Sequence, residues 1–284
     1  MYCRVIIVDD DPIVLNALRR ELLRPPHIGV DGIEVETYSV PNEALDRLAQ
    51  RDGNFDVAIV DYHMPEIDGV SFLDRLRSVH ADTLRILLTG SINLDGAIAA
   101  INAARVDYLI TKPWHEYDLK GRIALALHQR ELLRQRTASL LSRPPEPNKA
   151  FRLLVVDDEV ALRNAMVREI SMHGHLTRGP LPLFEIDTAA SAADALWLMD
   201  QGCFQLVISD YLMPGLDGIE FLYQVRERCP DTMRILMSGR SDLEVLKQAI
   251  NVAGIYHFIG KPWEAAELRV LINDALNYRR LLLR

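Results

Sequence analysis

One set of polar residues occurs twice in this chain. Asp9-Asp10, Asp61, Thr89 and Lys112 return as Asp157-Asp158, Asp210, Ser238 and Lys261. The intervals from 61 to 210, 89 to 238 and 112 to 261 are each 149 residues, and that from 9 to 157 is 148. The neighbouring residues repeat too. Asp61-Tyr62-His63-Met64-Pro65 answers to Asp210-Tyr211-Leu212-Met213-Pro214, Asp82-Thr83-Leu84-Arg85 to Asp231-Thr232-Met233-Arg234, and Lys112-Pro113-Trp114 to Lys261-Pro262-Trp263. A period this long exceeds the roughly 20–50 residues of solenoid repeats, so it marks a duplicated domain.

The chain's 284 residues fit two domains of about 100–150 residues, each large enough for its own core. A hydrophobic fraction of 49% with 25% charged residues reads as an ordinary soluble globular protein. A formal charge of −8 offers no basic footprint for nucleic acid, which disfavours direct DNA or RNA binding. Cys3, Cys203 and Cys229 are few, odd in number and lack CxxC spacing. They read as small buried hydrophobes, with neither a disulfide framework nor a zinc site. The N-terminus enters a short apolar strand ended by Asp9-Asp10-Asp11, unlike a signal peptide, and no apolar run approaches the roughly 18 residues of a membrane span. A cytoplasmic protein is expected.

In the first half, strand-length apolar runs lie at Arg4–Val8, Ile33–Val40, Val57–Val60, Leu84–Leu88 and Tyr108–Ile110. Helical spacing separates them at Ile13–Leu23, Glu43–Gln50, Val70–Val79, Leu94–Ala104 and Glu116–Leu133. The second half repeats the order, with strands near Leu153–Val156, Phe184–Thr188, Leu206–Ser209, Met233–Met237 and Tyr256–Ile259. Near-continuously apolar strands alternating with helices predict an α/β fold, a parallel sheet covered on both faces, in two (βα)5 units. The expected boundaries are 1–136 for the first domain with an extended last helix, 137–150 for a linker stiffened by Pro144, Pro145 and Pro147, and 151–284 for the second domain. The helical extension His128–Arg136 could pair with a partner helix or pack on the neighbouring domain.

In an open parallel sheet the loops after the strands share one edge, where ligands bind. Asp9-Asp10, Asp61, Thr89 and Lys112 should therefore converge on one site, as should their counterparts. An aspartate after a strand commonly caps the next helix, worth about 1 kcal/mol. Three crowded carboxylates are another matter, because each like-charged pair at about 4 Å costs on the order of 4 kcal/mol at an effective dielectric of 20. A cation offsets that cost, and an all-oxygen donor set suits Mg²⁺ or Mn²⁺, one per domain. A metal, a lysine and a hydroxyl around one aspartate form the arrangement for phosphoryl transfer, with Asp61 or Asp210 as nucleophile.

These motifs resemble the receiver domain of two-component response regulators. The match runs through Val8-Asp9-Asp10, Asp61 to Pro65 with Asp68-Gly69, Leu88-Thr89-Gly90 and Lys112-Pro113. It recurs in Val156-Asp157-Asp158, Asp210 to Pro214 with Asp217-Gly218, Met237-Ser238-Gly239 and Lys261-Pro262. The resemblance implies two flavodoxin-like, doubly wound sheets of order 2-1-3-4-5. It implies that Asp61 and Asp210 accept a phosphoryl group from a sensor histidine kinase or histidine phosphotransfer protein. Asp10 and Asp158 would hold Mg²⁺ directly, Asp9 and Asp157 through water, with Asp61 or Asp210 and the backbone carbonyl of His63 or Leu212 completing the protein shell. Thr89, Lys112, Ser238 and Lys261 would bind the phosphoryl group and carry the switch to the face of the fourth helix, fifth strand and fifth helix, which could also form a homodimer.

The halves differ where such domains are tuned. Three residues before the lysine, at the position of a switch aromatic, stand Leu109 and Phe258, with Tyr108 adjacent to the former. Two residues past the phosphoacceptor stand His63 and Leu212, and two past the hydroxyl residue Ser91 and Arg240, flanking the path of a hydrolytic water. Unequal acyl-phosphate lifetimes are expected, with neutral drift as the alternative. The leading function is a tandem-receiver response regulator, not otherwise an enzyme, whose output is contact with a downstream protein. A second reading makes it the sensory front of a longer protein, since the chain stops within the apolar-basic stretch Arg279–Arg284. A third is an aspartate-nucleophile phosphatase using Asp9-Asp10-Asp11, although Asp157-Asp158-Glu159 loses that spacing.

Overall fold

The computed structural model describes residues 2–25, 32–50, 53–114, 119–128, 131, 151–173, 184–239, 242–266, 268 and 270–274. The chain divides into two compact units, Met1–Gln135 and Arg136–Arg284, and each is described by itself. The proline-rich segment and most of the helical extension lie outside the described residues.

The first unit runs β1 (Tyr2–Val8), α1 (Pro12–Leu23), β2 (Gly32–Tyr38), α2 (Pro41–Leu48), β3 (Val57–Asp61), α3 (Gly69–Val79), β4 (Leu84–Thr89), α4 (Leu94–Asn102) and β5 (Tyr108–Thr111), followed by α5 at 119–128. Its strands form a parallel sheet of order β2-β1-β3-β4-β5. The second unit runs β6 (Phe151–Val156), α6 (Val160–His173), β7 (Phe184–Ala189), α7 (Ala192–Asp200), β8 (Leu206–Asp210), α8 (Gly218–Arg228), β9 (Met233–Ser238), α9 (Leu243–Gln248) and β10 (His257–Gly260), with α10 at 270–274. Its parallel order, β7-β6-β8-β9-β10, is the same topology. The expected doubly wound sheet is present in both halves.

The central strands are apolar on both faces because both faces are covered. Val5, Ile7, Ile59, Ile86 and Ile110 pack with Leu15, Leu18 and Leu22 of α1 and Leu119 and Ile123 of α5. Their strand neighbours Ile6, Ala58, Val60 and Leu87 point the other way and are equally buried. β2 ends at Tyr38 rather than Val40, because Val40 is the N-cap of α2 and Pro41, with its fixed φ and no amide hydrogen, opens the helix.

Two features tie the pole opposite the carboxyl edge. Arg85 is buried at the start of β4, where its guanidinium donates to the carbonyls of Arg105, Ala81 and Thr83. Arg234 repeats this with the carbonyls of Ala253, Gly254, Pro230 and Thr232. Burial, aided by Arg226, brings Arg234 down to about 9. The second feature corrects the expectation for the cysteines. Cys203 and Cys229 form a disulfide with Cα atoms 5.8 Å apart, while Cys3 is free and buried. A search for local pairs misses a partner 26 residues away that a β-α crossover returns to the same pole. No helix among the described residues is long and apolar enough to cross a membrane.

Candidate functional site

β1 and β3 pair in register from Val5 with Val57 to Val8 with Val60, so Asp9 and Asp61 leave the sheet side by side. β4 and β5 pair Thr89 with Thr111, which brings Lys112 to the same edge. The second unit repeats this through Val156 with Ser209 and Ser238 with Gly260. In each unit three carboxylates converge: Asp9, Asp10 and Asp61, and Asp157, Asp158 and Asp210. Within each group the ligand atoms lie within 4.8 Å of one another.

The lysine sits between two of the three. Lys112 Nζ is 2.7 Å from Asp9 Oδ2 and 2.6 Å from Asp61 Oδ1. Lys261 Nζ stands at the same 2.7 Å and 2.6 Å from Asp157 Oδ2 and Asp210 Oδ1. Asp9, Asp61, Asp157 and Asp210 are buried, whereas Asp10 and Asp158 are exposed at the rim. Burial pushes the Asp9 carboxyl above the usual carboxylate range, against the pull of Lys112 and the Asp11 amide. Burial does the same to Asp210 against Lys261. Burial alone would lower Lys112 and Lys261, but hydrogen bonds to their two carboxylates outweigh it and hold both above the ordinary lysine value.

The backbone around the central carboxylates explains the Asp-Gly pair that follows them. Asp68 caps α3 by accepting from the Ser71 amide, and Asp217 caps α8 by accepting from Glu220. A Cβ on Gly69 would stand 2.1 Å from the Asp61 carbonyl oxygen, and one on Gly218 2.1 Å from that of Asp210. Only glycine lets the helix start this close. The His63 amide in turn donates to Asp61 Oδ2 at 2.9 Å.

Thr89 and Ser238 are buried at the edge, and the Thr89 hydroxyl donates to the Ser91 carbonyl at 2.6 Å. His63, Leu212 and Ser91 are exposed beside the site, and Arg240 lies outside the described residues. Tyr108 is buried in the core formed with α1 and α5, on the strand face opposite Leu109. Phe258 is buried and precedes Ile259, which joins the equivalent core of the second unit, so Phe258 occupies the other face. Asp11 is the N-cap of α1, accepting from the Ile13 amide, so it does not join the carboxylate group.

Sequence reasoning missed two residues that serve the site from outside it. The Trp114 indole donates to Glu21 Oε2 on α1 at 2.6 Å, tying down the loop that carries Lys112. The repeated Lys-Pro-Trp was a signal for that tie, and Glu169 recurs in step with Glu21.

The donor set fits a hard divalent cation: three carboxylates, with neither imidazole nor thiolate in the group. Two buried carboxylates sharing one lysine leave a third, exposed carboxylate to face an ion from solvent.

Both halves of this chain match a known protein family. The response regulator receiver domain profile matches residues 5–124 and again 153–273. The hydrogenase transcriptional regulatory protein HoxA of Cupriavidus necator is 35% identical over 134 residues, which is 47% of this chain and 26% of that protein. The C4-dicarboxylate transport transcriptional regulatory protein DctD of Rhizobium meliloti is 33% identical over 131 residues, 46% of this chain and 26% of that protein. The match thus spans about a quarter of the length of these curated relatives. Among solved structures, the signal receiver domain of an HD domain-containing protein from Pseudomonas fluorescens Pf-5 is 30% identical, covering 46% of this chain and 98% of that one with a TM-score of 0.42. Since the profile matches cover most of both units and contain both sets of carboxylates and lysine, this chain belongs to the response regulator receiver domain family, as two receiver domains in tandem.

Proposed function

We propose that each domain accepts a phosphoryl group on its central aspartate, Asp61 or Asp210, from a phosphohistidine of a sensor kinase or phosphotransfer protein. The observation that carries this reading is the lysine placed at hydrogen-bond distance from two buried carboxylates, at the same distances in both units. Asp10 and Asp158 would hold Mg²⁺ or Mn²⁺ directly and Asp9 and Asp157 through water, joined by Asp61 or Asp210 and the carbonyls of His63 and Leu212. The bound ion would screen the carboxylates from the incoming phosphate and neutralise charge on its oxygens.

The chain's own groups do the rest. The carboxylate of Asp61 attacks phosphorus in line, and the phosphohistidine imidazole leaves. Lys112, released from part of its pairing as Asp61 becomes an acyl phosphate, follows the new negative charge. The Thr89 hydroxyl, bonded to the Ser91 carbonyl, exchanges that acceptor for a phosphoryl oxygen. Asp210, Lys261 and Ser238 act likewise in the second domain. The changed α4-β5-α5 face and its counterpart then bind a downstream protein, or a second copy of this chain.

This is a signalling role, in which the chemistry is confined to gaining and losing the aspartyl phosphate. Asp11, engaged as a helix cap, leaves the phosphatase reading without its second carboxylate. The second reading, a sensory part of a longer protein, draws support from relatives about four times the length of the matched segment. A cytoplasmic setting is part of the proposal, and there the Cys203–Cys229 bond would be expected to stand reduced.

Intact-protein mass after incubation with Mg²⁺ and a small phosphodonor tests the reading. Two added phosphoryl groups are expected on the unaltered chain, and one each on Asp61→Asn and Asp210→Asn. Loss of all uptake with a single substitution would leave one domain a scaffold.

A further inference from the structure

The residue after the first phosphoacceptor is held from both sides. The Tyr62 amide donates to the Leu88 carbonyl at 2.8 Å, and its own carbonyl accepts from the Gly69 amide at 3.0 Å. With its backbone so fixed, the side chain reaches the first turn of α4, where Gly96 receives it. A Cβ on Gly96 would stand 2.3 Å from Tyr62 Oη and 2.9 Å from Cζ, far inside contact distance. With the ring placed as it is, a side chain at residue 96 would force it to move. Asn93 caps the same turn by accepting from the Gly96 amide at 2.8 Å, and the His63 ring closes edge-on against Tyr62 with centroids 4.4 Å apart.

The second domain keeps the frame and loses the seat. The Tyr211 amide donates to Met237 and its carbonyl accepts from Gly218, both at 2.8 Å. Yet the position of Gly96 is taken by Val245, and that of His63 by Leu212. Val245 carries the side chain that Gly96 lacks, so the notch of the first domain has no counterpart in the sequence of the second. The second domain has Phe258 on the strand face where the first has Leu109, and the neighbouring Tyr108 of the first domain faces α1 and α5 instead.

We propose that Tyr62 is the positioning residue that carries the state of Asp61 to α4 in the first domain, through its seat on Gly96, and that the second domain lacks this route. The inference rests on Asp61 being the phosphoacceptor. The main chain of Tyr62 lies between the acceptor carboxylate and the His63 carbonyl proposed as a metal ligand. A shift of either group large enough to strain the two hydrogen bonds that hold the Tyr62 backbone would displace the phenol. The phenol lies against Gly96 at the first turn of α4, so a displacement of the ring would press on that turn or open the contact.

The test uses the full chain carrying Asp210→Asn, so that only Asp61 can be phosphorylated, with Mg²⁺ and acetyl phosphate. Phosphoryl content is read by intact mass, and amide hydrogen exchange over residues 94–102 is read on the same samples. This parent is compared with Tyr62→Ala and with Gly96→Ala, whose added Cβ crowds the phenol and, at 3.0 Å, the Asn93 cap oxygen, but no group of the carboxylate site. A change of about twofold or more in exchange over 94–102 on phosphorylation is expected in the parent, with most of it lost in both phosphorylated variants. A merely structural role would alter exchange before phosphorylation but leave the response intact. An undiminished response in either phosphorylated variant overturns the proposal, as does a variant that no longer takes up the phosphoryl group. A parent that is phosphorylated without any response over 94–102 overturns the relay alone. A parent that takes up no phosphoryl group overturns the phosphoacceptor reading and the relay together.

Discussion

The two halves bear strain and unfavourable charge at different residues. Among the described residues of the first domain, Glu66 and Arg105 are the non-glycine residues at positive φ, 69° and 53°, and their counterparts 149 positions on are Gly215 and Gly254, at 85° and 57°. A side chain in this region costs about 1 kcal/mol or more. The Asn42 amide, which donates to Glu66 Oε2 at 2.8 Å, is an exposed bond worth little against that. Glu66→Gly should therefore stabilise the first domain by about 0.5–1 kcal/mol in urea unfolding, after the entropy lost to glycine is subtracted. A loss of stability would mean that the Asn42 bond outweighs the backbone strain. Asp210 makes a second case. Its carboxyl is raised above 3.8 chiefly by burial, so the folded state takes up its proton before the unfolded state does as pH falls. The group is a burden at neutral pH that lightens with acid. Asp210→Asn should be more stable than the unaltered chain at pH 7 by on the order of 1 kcal/mol, and the gap should narrow toward pH 4. A less stable variant at pH 7 would mean that the Lys261 pairing dominates. These residues also show what the sequence made legible. Asp9, Asp61, Asp157, Asp210 and both lysines were readable because they repeat at fixed spacing. The Gly96 notch was not, because it lies in the one copy only and its use depends on which way the Tyr62 ring turns.

At the scale of elements, the same join is made by different chemistry in each half. Where α3 ends at His80, the ring nitrogen Nε2 lies 2.9 Å from the Leu48 carbonyl at the end of α2. Where α8 ends at Cys229, a disulfide reaches Cys203 in the loop after α7. A closed loop of 26 residues removes chain entropy worth roughly 3 kcal/mol from the unfolded state. Cys203→Ser should lower the unfolding temperature of the second domain by on the order of 10 °C under non-reducing conditions and leave the first domain unmoved. Calorimetry on the full chain reads both, and an unshifted second transition would show that the bond adds no stability. Elements were the most legible level of the sequence: the β3 and β8 runs end at Asp61 and Asp210 because an apolar strand must stop where its chain meets the polar edge. Element ends were less so. The fourth helix of the second domain passes from α9 into a π-helical turn, Ala249–Ala253, that closes on left-handed Gly254, and no periodicity separates an i+4 from an i+5 turn.

For the whole molecule, two sites of matching geometry do not imply two equal clocks. The five reactive side chains recur, but the residue two past each acceptor is an imidazole in one site and an exposed leucine in the other. Different access for water should give the acyl phosphates different lifetimes. Decay measured in the singly phosphorylatable variants Asp61→Asn and Asp210→Asn should differ by about threefold or more, a difference of roughly 0.7 kcal/mol in barrier. Equal rates would assign the differences to drift. The arginines near the starts of β4 and β9 point to how either site could be heard elsewhere. Arg85 and Arg234 bolt the starts of β4 and β9 to the loops ahead of β5 and β10, far from the reacting ends. A plank fixed at one end cannot slide, and a push on its free end deflects only the parts that are loose there. On the proposed reading each domain would behave as a cantilever: with its far pole anchored, the push of one added phosphate would be taken up at the free carboxyl edge rather than spread through the sheet.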